Sequence, residues 1–389
     1  MKTPFLPRTV IVLGLVSFLN DTASEMITPL LPIFLTAGLG AGPAIVGLVE
    51  GVAEATASLL KLVSGRMADK GRNHKGLVVG GYSISNLARP LIGLALSWNL
   101  VLLFRFLDRV GKGVRTSPRD ALIAASTDST RLGRAFGFHR ALDNAGAMLG
   151  PLCAWYLLRA GIPMAHVFLW SLVPGILVVC LLVFGLEATP AREKLKELPP
   201  LRWSVLDHRL RGLILAAGGL ALASAPEAFL VLWATDQGLQ IVWIPLIWAA
   251  ASAVKAIVAG PAGGLSDRFG RLSVLLCGWT FRILLLLGLG WSCSTTHPVL
   301  VWPLFLAYAA SLAATEGAER ALIGDFARRE ERATAFGLYH MVIGLAALPG
   351  ALLFGVIWQV LGPTVAFVFN AVLSSGAVIL LQRQYRRGK

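Results

Sequence analysis

The feature that most restricts the fold of this chain is the recurrence of apolar runs about twenty residues long, the length that a helix needs to cross a bilayer. Only 14% of the residues are charged and 56% are hydrophobic, whereas about a quarter of the residues in an ordinary soluble domain are charged. The sequence therefore predicts an integral membrane protein with an all-α fold. Its twelve predicted helices cover 9–36, 44–64, 76–97, 99–119, 134–158, 164–186, 210–235, 242–262, 273–292, 299–320, 334–358 and 362–382.

The distribution of basic residues predicts how these helices are oriented. The net charge is +14, and most Lys and Arg residues fall in alternate connectors, while the other connectors contain a single basic residue, Arg159. Because cytoplasmic loops collect Lys and Arg, both termini are predicted to be cytoplasmic in a multi-pass protein of the plasma (inner) membrane. Basic clusters placed between apolar runs also argue against nucleic acid as the partner of this charge.

The sequence contains an internal repeat with a spacing of about 200 residues. Segment 119–151 aligns without a gap on 319–351, and "GRMADKGR" at 65–72 resembles "GGLSDRFGR" at 263–271. The run "TASEMITPL" matches "SAPEAFLVL", which places Glu25 opposite Glu227. Matches in one order at nearly one offset predict two six-helix halves of parallel topology. We place the halves at 1–186 and 210–389, joined by a charged cytoplasmic linker at 187–209.

Three short motifs resemble those of a known family. The loop after the second helix contains Gly65, Asp69 and Arg72, and its copy after the eighth helix contains Gly263, Asp267, Arg268 and Arg271. The fifth helix contains "GAMLGP", with Gly146, Gly150 and Pro151. With these motifs and its repeat, the chain resembles the major facilitator superfamily of secondary transporters over its whole length.

This resemblance implies twelve transmembrane helices in two pseudo-symmetric six-helix bundles. It implies that the glycine-aspartate loops latch helices together during the conformational cycle, and that the motif of the fifth helix is typical of proton-coupled exporters. The chain also departs from the family patterns. The first loop copy lacks one residue before its second glycine, and in the fourth helix Asp108 and Arg109 stand where Gln and Gly are usual.

Charged residues occur inside the predicted helices, where each costs roughly 2.5–3.5 kcal/mol on insertion scales. In "FLNDTASEM", Asp21 and Glu25 are four residues apart and therefore share one helix face. Such groups are expected to face a bundle interior or a water-filled cavity. We expect both carboxylates to form a network with Arg105 and Arg109, because their depths match and their charges are opposite. The residues assigned to proton coupling in this cavity are Asp21, Glu25, Glu54, Arg105, Arg109, Asp143 and Glu227.

The second half is poorer in charge at the corresponding depth. Phe305 and Tyr308 occupy the positions two hundred residues after Arg105 and Asp108, respectively. We therefore predict that proton coupling belongs to the first half and that the second half binds an apolar part of the substrate. The predicted substrate cavity contains Asn20, Arg89, Arg140, Asn144, Phe305, Tyr308 and His340.

These features predict a proton-coupled secondary active transporter that works by alternating access, with efflux of a small amphipathic compound favoured. The alternative is a proton- or sodium-coupled transporter of an organic anion or metabolite, because Arg binds carboxylates and phosphates bidentately. A membrane enzyme or a transport-inactive sensor is disfavoured, because the sequence offers no catalytic pattern and no signalling domain. The absence of a P-loop sequence argues against direct coupling to ATP.

The predicted partners are a small-molecule substrate, protons or sodium, and the lipid bilayer. No cofactor or metal is predicted, and the chain is expected to be monomeric.

Overall fold

The structure is a computed structural model that describes residues 6–69, 73–128, 131–186, 203, 206–294, 298–327 and 332–386. Helices form almost all of the described chain. Short 3₁₀ turns lie at Ile92–Leu94 and Ile241–Trp243, and a π-helical turn at Phe34–Gly38. The α-helices are α1 (Arg8–Ile27), α2 (Leu31–Ile33), α3 (Pro43–Asp69), α4 (His74–Leu91), α5 (Trp98–Ala125), α6 (Leu132–Arg159), α7 (Met164–Trp170), α8 (Leu172–Gly185), α9 (His208–Leu222), α10 (Glu227–Asp236), α11 (Ile244–Phe269), α12 (Arg271–Ser292), α13 (Pro298–Phe326), α14 (Arg332–Leu361) and α15 (Pro363–Arg386).

The predicted helical runs are helical in the structure, which confirms the all-α fold, but three of them are interrupted. The breaks separate α1 from α2, α7 from α8 and α9 from α10. Pro29, Pro174 and Pro226 lie at or just after these breaks. Proline lacks the backbone N–H of an interior helical residue and clashes with the preceding turn. The apolar composition continued through these positions, so hydrophobicity alone gave no sign of the breaks.

Nine stretches among the described residues are long and apolar enough to cross a membrane. They are Arg8–Gly38, Pro43–Met67, Met164–Gly185, His208–Asp236, Ile241–Phe269, Arg271–Ser292, Pro298–Phe326, Ala335–Leu361 and Pro363–Arg383. The helices α5 and α6 have 28 residues each, or about 42 Å at 1.5 Å per residue. They reach the necessary length, but they and α4 contain the charged residues of the first half. The count of twelve crossings stays a prediction.

Contacts between Cα atoms divide the chain into two compact units. Unit 1 contains Met1–Phe34 and Leu59–Leu198, and unit 2 contains Leu35–Ser58 and Pro199–Lys389. Residues 35–58 thus group with unit 2, although the sequence repeat assigned them to the first half. The boundaries predicted at residues 186 and 210 stay a prediction.

Glycines explain why the first part of α3 belongs to unit 2. A Cβ on Gly51 would meet the backbone of Leu348 at 2.9 Å, and a Cβ on Gly355 would meet the Cα of Ala44 at 3.0 Å. The backbones of α3 and α14 therefore approach more closely than any larger side chain allows. Small residues at helix interfaces are the usual means of such close packing in membranes.

Within unit 1, α1 packs along α6 and α8, while α4 packs along α5. Buried apolar residues such as Leu13, Val78 and Leu182 join these helices in one core. Within unit 2, α13 packs against α11 and α12, and α9 packs against α14 and α15. The unit 2 core is centred on residues such as Leu213, Trp279 and Ile323.

Candidate functional site

A cluster of arginines surrounds one carboxylate inside unit 1. The Asp108 side chain on α5 is fully buried and accepts a hydrogen bond of 2.8 Å from Nε of Arg89 on α4. Arg105 and Arg109, on the same helix as Asp108, lie 3.7 and 3.5 Å from its other oxygen. Both arginines are buried as well. Asp108 is therefore the centre of a buried ion cluster, and it joins α4 to α5.

Arg115 forms a second layer of this cluster, one turn beyond Gly111. Its guanidinium donates a 2.5 Å hydrogen bond to Oγ of Ser85 and lies 4.4 Å from the centroid of the Tyr82 ring. Ser85 in turn donates to the backbone carbonyl of Asp108 at 2.8 Å. The sequence analysis missed Arg115, Ser85 and Tyr82. The spacing of seven residues between Asp108 and Arg115, which places both on one face of a helix, was the signal that could have found Arg115.

Asn20 links this cluster to the carboxylates of α1. Its side-chain oxygen accepts a 3.0 Å hydrogen bond from Nη1 of Arg89, and its amide nitrogen donates to Oδ1 of Asp21 at 3.0 Å. Asn86 on α4 also donates to the Asn20 oxygen, at 3.4 Å. Both asparagines are buried. A continuous chain of hydrogen bonds therefore runs from Asp108 through Arg89 and Asn20 to Asp21.

Asp21 and Asp143 bring two carboxyl groups together between α1 and α6. Their side chains approach each other closely enough to form a hydrogen bond when one of them carries a proton. Ser17, one turn before Asp21, donates to Oδ1 of Asp143 at 2.5 Å. Arg140 lies 3.6 Å from the other oxygen of Asp143, whose side chain is 20% exposed. The pair thus lies at the border between the packed interior and accessible space.

The glycines of the fifth-helix motif explain this close approach. A Cβ on Gly146 would collide with the backbone carbonyl of Phe18, and a Cβ on Gly150 would lie 2.5 Å from the carbonyl oxygen of Thr22. Only glycine therefore permits the contact between the α1 and α6 backbones. Pro151 is buried in the same helix, directly after Gly150. The motif brings Ser17, Asp21 and Asp143 within hydrogen-bonding distance.

The other predicted residues of this cavity lie in different surroundings. Glu25 is half-buried on α1. A Cβ added to Gly150 would lie 3.0 Å from the Cβ of Glu25. Glu54 is exposed and accepts a hydrogen bond from Ser58, and both belong to unit 2. Asn144 is half-buried beside Asp143 in sequence. The predicted network of Asp21 and Glu25 with Arg105 and Arg109 stays a prediction.

In unit 2 the corresponding region combines aromatic side chains with one ion pair. Lys255 on α11 pairs with Glu227, and both side chains are about one-third exposed. The Lys255 ammonium lies 5.9 Å from the centroid of the Trp248 ring, which packs edge-on against Phe305 at 6.3 Å. Glu227 is the first residue of α10, directly after the break at Pro226. A carboxylate is favourable there because the N-terminus of a helix carries partial positive charge.

The buried Tyr308 hydroxyl compensates for this broken helix. It donates a 3.0 Å hydrogen bond to the carbonyl of Ala225, between α9 and α10. Ser374 reaches the carbonyl of Ala223 at 3.4 Å. Unsatisfied backbone groups are costly within a membrane. Phe305 and Tyr308 are therefore packed side chains of unit 2, rather than side chains open to a large cavity within that unit.

A second polar cluster in unit 2 was not found from the sequence. Glu319 accepts hydrogen bonds from the indole of Trp279 at 2.9 Å and from the hydroxyl of Tyr339 at 2.8 Å. Arg282, which is 5% exposed, donates to Oγ1 of Thr315 at 2.7 Å. The predicted cavity residue His340 stacks edge-on against Tyr339, with ring centroids 5.1 Å apart.

The second loop motif forms contacts at the end of α11. Arg271 bridges Asp267, at 3.4 Å, and Asp325 near the end of α13, at 2.5 Å, and it donates to the carbonyl of Ala321 at 3.1 Å. Gly270 forms the turn with φ +91°, a conformation that favours glycine.

The remaining loop residues differ in how far the structure describes them. Ser266 donates a hydrogen bond to the carbonyl of Gly263 at 2.8 Å, and the Arg268 guanidinium lies 5.4 Å from the Phe269 ring centroid. In the first copy, Gly65 faces Ser117. Arg72 and the side chain of Asp69 lie outside the described residues.

The described residues contain no group of three or more His, Cys, Asp or Glu side chains that could hold a metal ion. The acidic groups of the site instead contact Arg, Asn, Ser or one another. Hydrogen bonding and ion pairing are therefore the chemistry that this arrangement offers.

Comparison with known proteins identifies the class. The family model described as "Major Facilitator Superfamily" matches residues 13–316 and 246–387. A relative from Methanocaldococcus jannaschii, described as an uncharacterized MFS-type transporter, is 34% identical over 385 residues, which are 96% of this chain and 95% of the relative. The multidrug resistance protein MdtH of Aeromonas hydrophila is 26% identical over 235 residues, which are 60% of this chain and 54% of that protein.

Solved structures show the same fold. A mutant of the nucleoside transporter NupG superposes with a TM-score of 0.81 at 12% identity, covering 97% of this chain and 100% of that one. A bacterial homologue of the human lysosomal transporter Spinster gives a TM-score of 0.76 at 17% identity, covering 97% and 96%.

The chain is thus a multi-pass membrane transporter. It belongs to the Major Facilitator Superfamily, as its motifs and its repeat predicted. Because the matched family and the structural neighbours are transporters, the prediction that the chain is not an enzyme is confirmed.

Proposed function

We propose that this transporter is proton-coupled and moves a small amphipathic compound out of the cell by alternating access. The observation that carries the proposal is the close approach of the carboxyl groups of Asp21 and Asp143 between α1 and α6. An ionised carboxylate has only acceptor atoms, so a direct hydrogen bond between two carboxyl groups requires a proton on one of them. We infer that the α1–α6 contact binds this proton.

Nearby charges supply a means of releasing this proton. Lys112 on α5 acts electrostatically on Asp21. Arg119 and His139 act on Asp143. When the two carboxyl groups share a proton, the pair has one negative charge, and when the proton leaves, it has two. A movement that brings the cationic groups closer favours the ionised pair, so protonation and conformation are linked.

Two observations support an amphipathic substrate and its export. The aromatic ring of Trp248 lies beside the Glu227–Lys255 ion pair in unit 2, which offers apolar and charged contacts together. The relative MdtH is described as a multidrug resistance protein. For the membrane location we keep the orientation that the basic connectors favour, with both termini cytoplasmic in the plasma membrane.

The proposal is tested with purified protein in liposomes that carry an imposed pH gradient. Fluorescent amphipathic cations serve as substrates, and sodium is replaced by choline in a parallel series to separate proton from sodium coupling. We expect Asp21→Asn and Asp143→Asn to lose gradient-driven transport and to keep exchange of substrate between the two sides, because exchange needs no net proton movement. The matched control is Glu316→Gln, since Glu316 forms an exposed ion pair with Arg320 on α13.

Infrared spectroscopy gives a readout that needs no substrate. The difference spectrum between neutral and alkaline pH should contain the C=O stretch of a protonated carboxyl group in the wild type and lose it in both variants. Gradient-driven transport that persists in Asp143→Asn, together with an unchanged carboxyl band, contradicts the proposal.

Transport of an organic anion is a second candidate, favoured by the charge balance of the cluster on α4 and α5. Asp108 is surrounded by four arginines, Arg89, Arg105, Arg109 and Arg115. Guanidinium groups bind carboxylates and phosphates bidentately. If the substrate is an anion, Arg109→Gln should weaken its uptake more than Arg109→Lys does, whereas transport of the cationic dyes should be absent from the wild type.

A further inference from the structure

An apolar groove lies on the surface of unit 1, along α1, α6, α7 and α8. Its volume is about 450 Å³. The α6 side is formed by Leu149, Leu152, Cys153 and Tyr156, and neighbouring residues of the other helices complete it. These α6 residues recur at the three- and four-residue spacing that defines one face of a helix. The groove is thus built by a continuous stripe and is not an isolated gap between side chains.

The break between α7 and α8 shapes the opposite wall of the groove. The α7 helix ends at Trp170, and Ser171 turns its hydroxyl back to the carbonyl of Phe168 at 2.6 Å. Pro174 lines the groove one turn later and cannot donate a backbone hydrogen bond to Trp170. The bend separates this wall from α6 and leaves room between them. Trp170 and Val173 are about half exposed on this wall.

The groove has the depth of one leaflet of a bilayer. Its α6 wall extends from Leu149 to Leu157, which is about 12 Å at 1.5 Å per residue. The hydrocarbon core of a bilayer is about 30 Å thick, or about 15 Å for each leaflet. The groove begins near the last turn of α6 and ends near the middle of that helix. An acyl chain of the adjacent leaflet lies at this depth and has the matching apolar character.

A positive charge lies beside the groove, at the end of α6. Arg159 is the last residue of α6, and its guanidinium lies 5.4 Å from the centroid of the Trp155 ring. It is exposed and follows the groove residue Tyr156 by one turn of the helix. Tyr156 and Trp170 are the aromatic types that favour the interface between lipid and water. Arg159 is also the single basic residue of the predicted connectors on its side of the membrane, so the charge is local to this rim.

From these observations we propose that the groove binds one acyl chain of an anionic phospholipid, whose phosphate contacts Arg159. The lipid belongs to the leaflet at the Arg159 end of α6. Arginine recognises phosphate through paired hydrogen bonds, and the apolar walls accept the chain. This lipid site is independent of the proposed proton coupling, because it lies on the outer surface of unit 1 and requires no transport step.

The site is tested by native mass spectrometry of the full-length protein released from vesicles that contain phosphatidylcholine and phosphatidylglycerol. We expect the wild type to retain one phosphatidylglycerol in preference to phosphatidylcholine. Leu152→Trp fills the groove and should lose the bound lipid. Arg159→Gln should retain a lipid without the preference for phosphatidylglycerol. The matched control is Leu284→Trp, the same substitution at an exposed apolar position of α12, which should behave as the wild type does.

The thiol of Cys153 provides a second measurement within the groove. The chain has four cysteines, so serine at Cys180, Cys277 and Cys293 leaves Cys153 as the single reactive thiol. Phosphatidylglycerol should slow its modification by N-ethylmaleimide, and phosphatidylcholine should slow it less. Lipid retention by Leu152→Trp equal to that of the wild type, or equal binding of both lipids by the wild type, overturns the proposal.

Discussion

The two units contain pseudo-equivalent helices that solve the same packing problem with different chemistry. In unit 1, Asp108 joins α5 to α4 through a buried ion pair with Arg89. Two hundred residues later, Tyr308 joins α13 to the broken segment between α9 and α10 through one neutral hydrogen bond. Both side chains are fully buried. The repeat therefore preserves a buried polar side chain at this position, but neither its charge nor the helix that it contacts.

A second difference between the units concerns which of two paired helices contains a buried arginine. In unit 1, Arg115 on α5 stacks on Tyr82 of α4. In unit 2, the positions 200 residues later are Thr315 on α13 and Arg282 on α12, and Arg282 donates to Thr315. A guanidinium thus lies between the same two helices in both units, but it comes from opposite partners. Its position near the helix contact matters more than the helix that provides it.

Backbone contacts are preserved where side chains are not. A Cβ on Gly150 would lie 2.5 Å from the carbonyl oxygen of Thr22, and a Cβ on Gly350 would lie 2.5 Å from that of Leu222. Gly350 and Leu222 each lie 200 residues after their counterparts, Gly150 and Thr22. The repeated fold therefore depends on shared close contacts between helices, while the buried polar groups of each unit changed independently.

The largest expected effect on the free energy of unfolding concerns Asp108, the ionic centre of unit 1, compared with its neutral counterpart Tyr308 in unit 2. Asp108→Asn removes the carboxylate that pairs with Arg89 and Arg105, and breaking a buried pair in this way costs about 3–5 kcal/mol. Tyr308→Phe leaves one carbonyl without its donor, at a cost of about 1–3 kcal/mol. Unfolding by denaturant in detergent measures both. Equal losses of stability in the two variants would remove the distinction between the units.

An intermediate effect tests the contacts that the units share. Gly150→Ala and Gly350→Ala both place a Cβ against backbone, where overpacking costs about 1–3 kcal/mol. We expect similar decreases in the free energy of unfolding for the two variants. Gly137→Ala and Gly376→Ala are the matched controls, because a Cβ at either position meets no atom within 4 Å. Alanine should stabilise these helices by up to about 1 kcal/mol. A loss confined to one unit would show that the scaffold is not equivalent.

The smallest expected effect concerns the ion pair of unit 2. The side chains of Lys255 and Glu227 are 32% and 29% exposed, and exposed ion pairs contribute about 0–1 kcal/mol. Lys255→Gln should therefore lower the free energy of unfolding by less than about 1 kcal/mol. Exchange of both charges in Glu227→Lys with Lys255→Glu should restore it only in part, because a lysine at the N-terminus of α10 is unfavourable. Thermal unfolding of the single and double variants measures this. A loss as large as that of Asp108→Asn would mean that charge is as important to the stability of unit 2 as to that of unit 1.

Sequence reasoning succeeded where a property is repeated along the chain. Runs of apolar residues predicted the helices, and the spacing of Gly146 and Gly150 predicted the motif that brings α1 to α6. It identified Asp21, Asp143 and Arg89 as interior groups because charged residues stand out within an apolar helix. From the sequence, Asp108 was identified only as a departure from the family pattern of the fourth helix. The position of Asp108 at the centre of the cluster depends on Arg89, which approaches from another helix.

Uncharged polar residues were harder to identify. Ser17, Tyr82 and Ser85 are ordinary residues in a membrane helix, and their roles arise from hydrogen bonds to groups more than twenty residues away. Glu319 accepts hydrogen bonds from Trp279 and Tyr339, which lie on two other helices. The sequence around each of these residues does not indicate its hydrogen-bond partner, because each contact joins separate helices.

The sequence by itself determined that this chain is a bundle of membrane helices with two related halves and an ionic first half. Those properties follow from hydrophobicity, periodicity and repetition, which require no knowledge of distant contacts. Tertiary structure alone decided that Asp21 meets Asp143, that Asp108 unites the arginines and that a lipid-sized groove opens beside α6. The physical reason is that helix propensity and burial act on each segment separately, whereas the partner of a buried charge is set by how closely two backbones can approach.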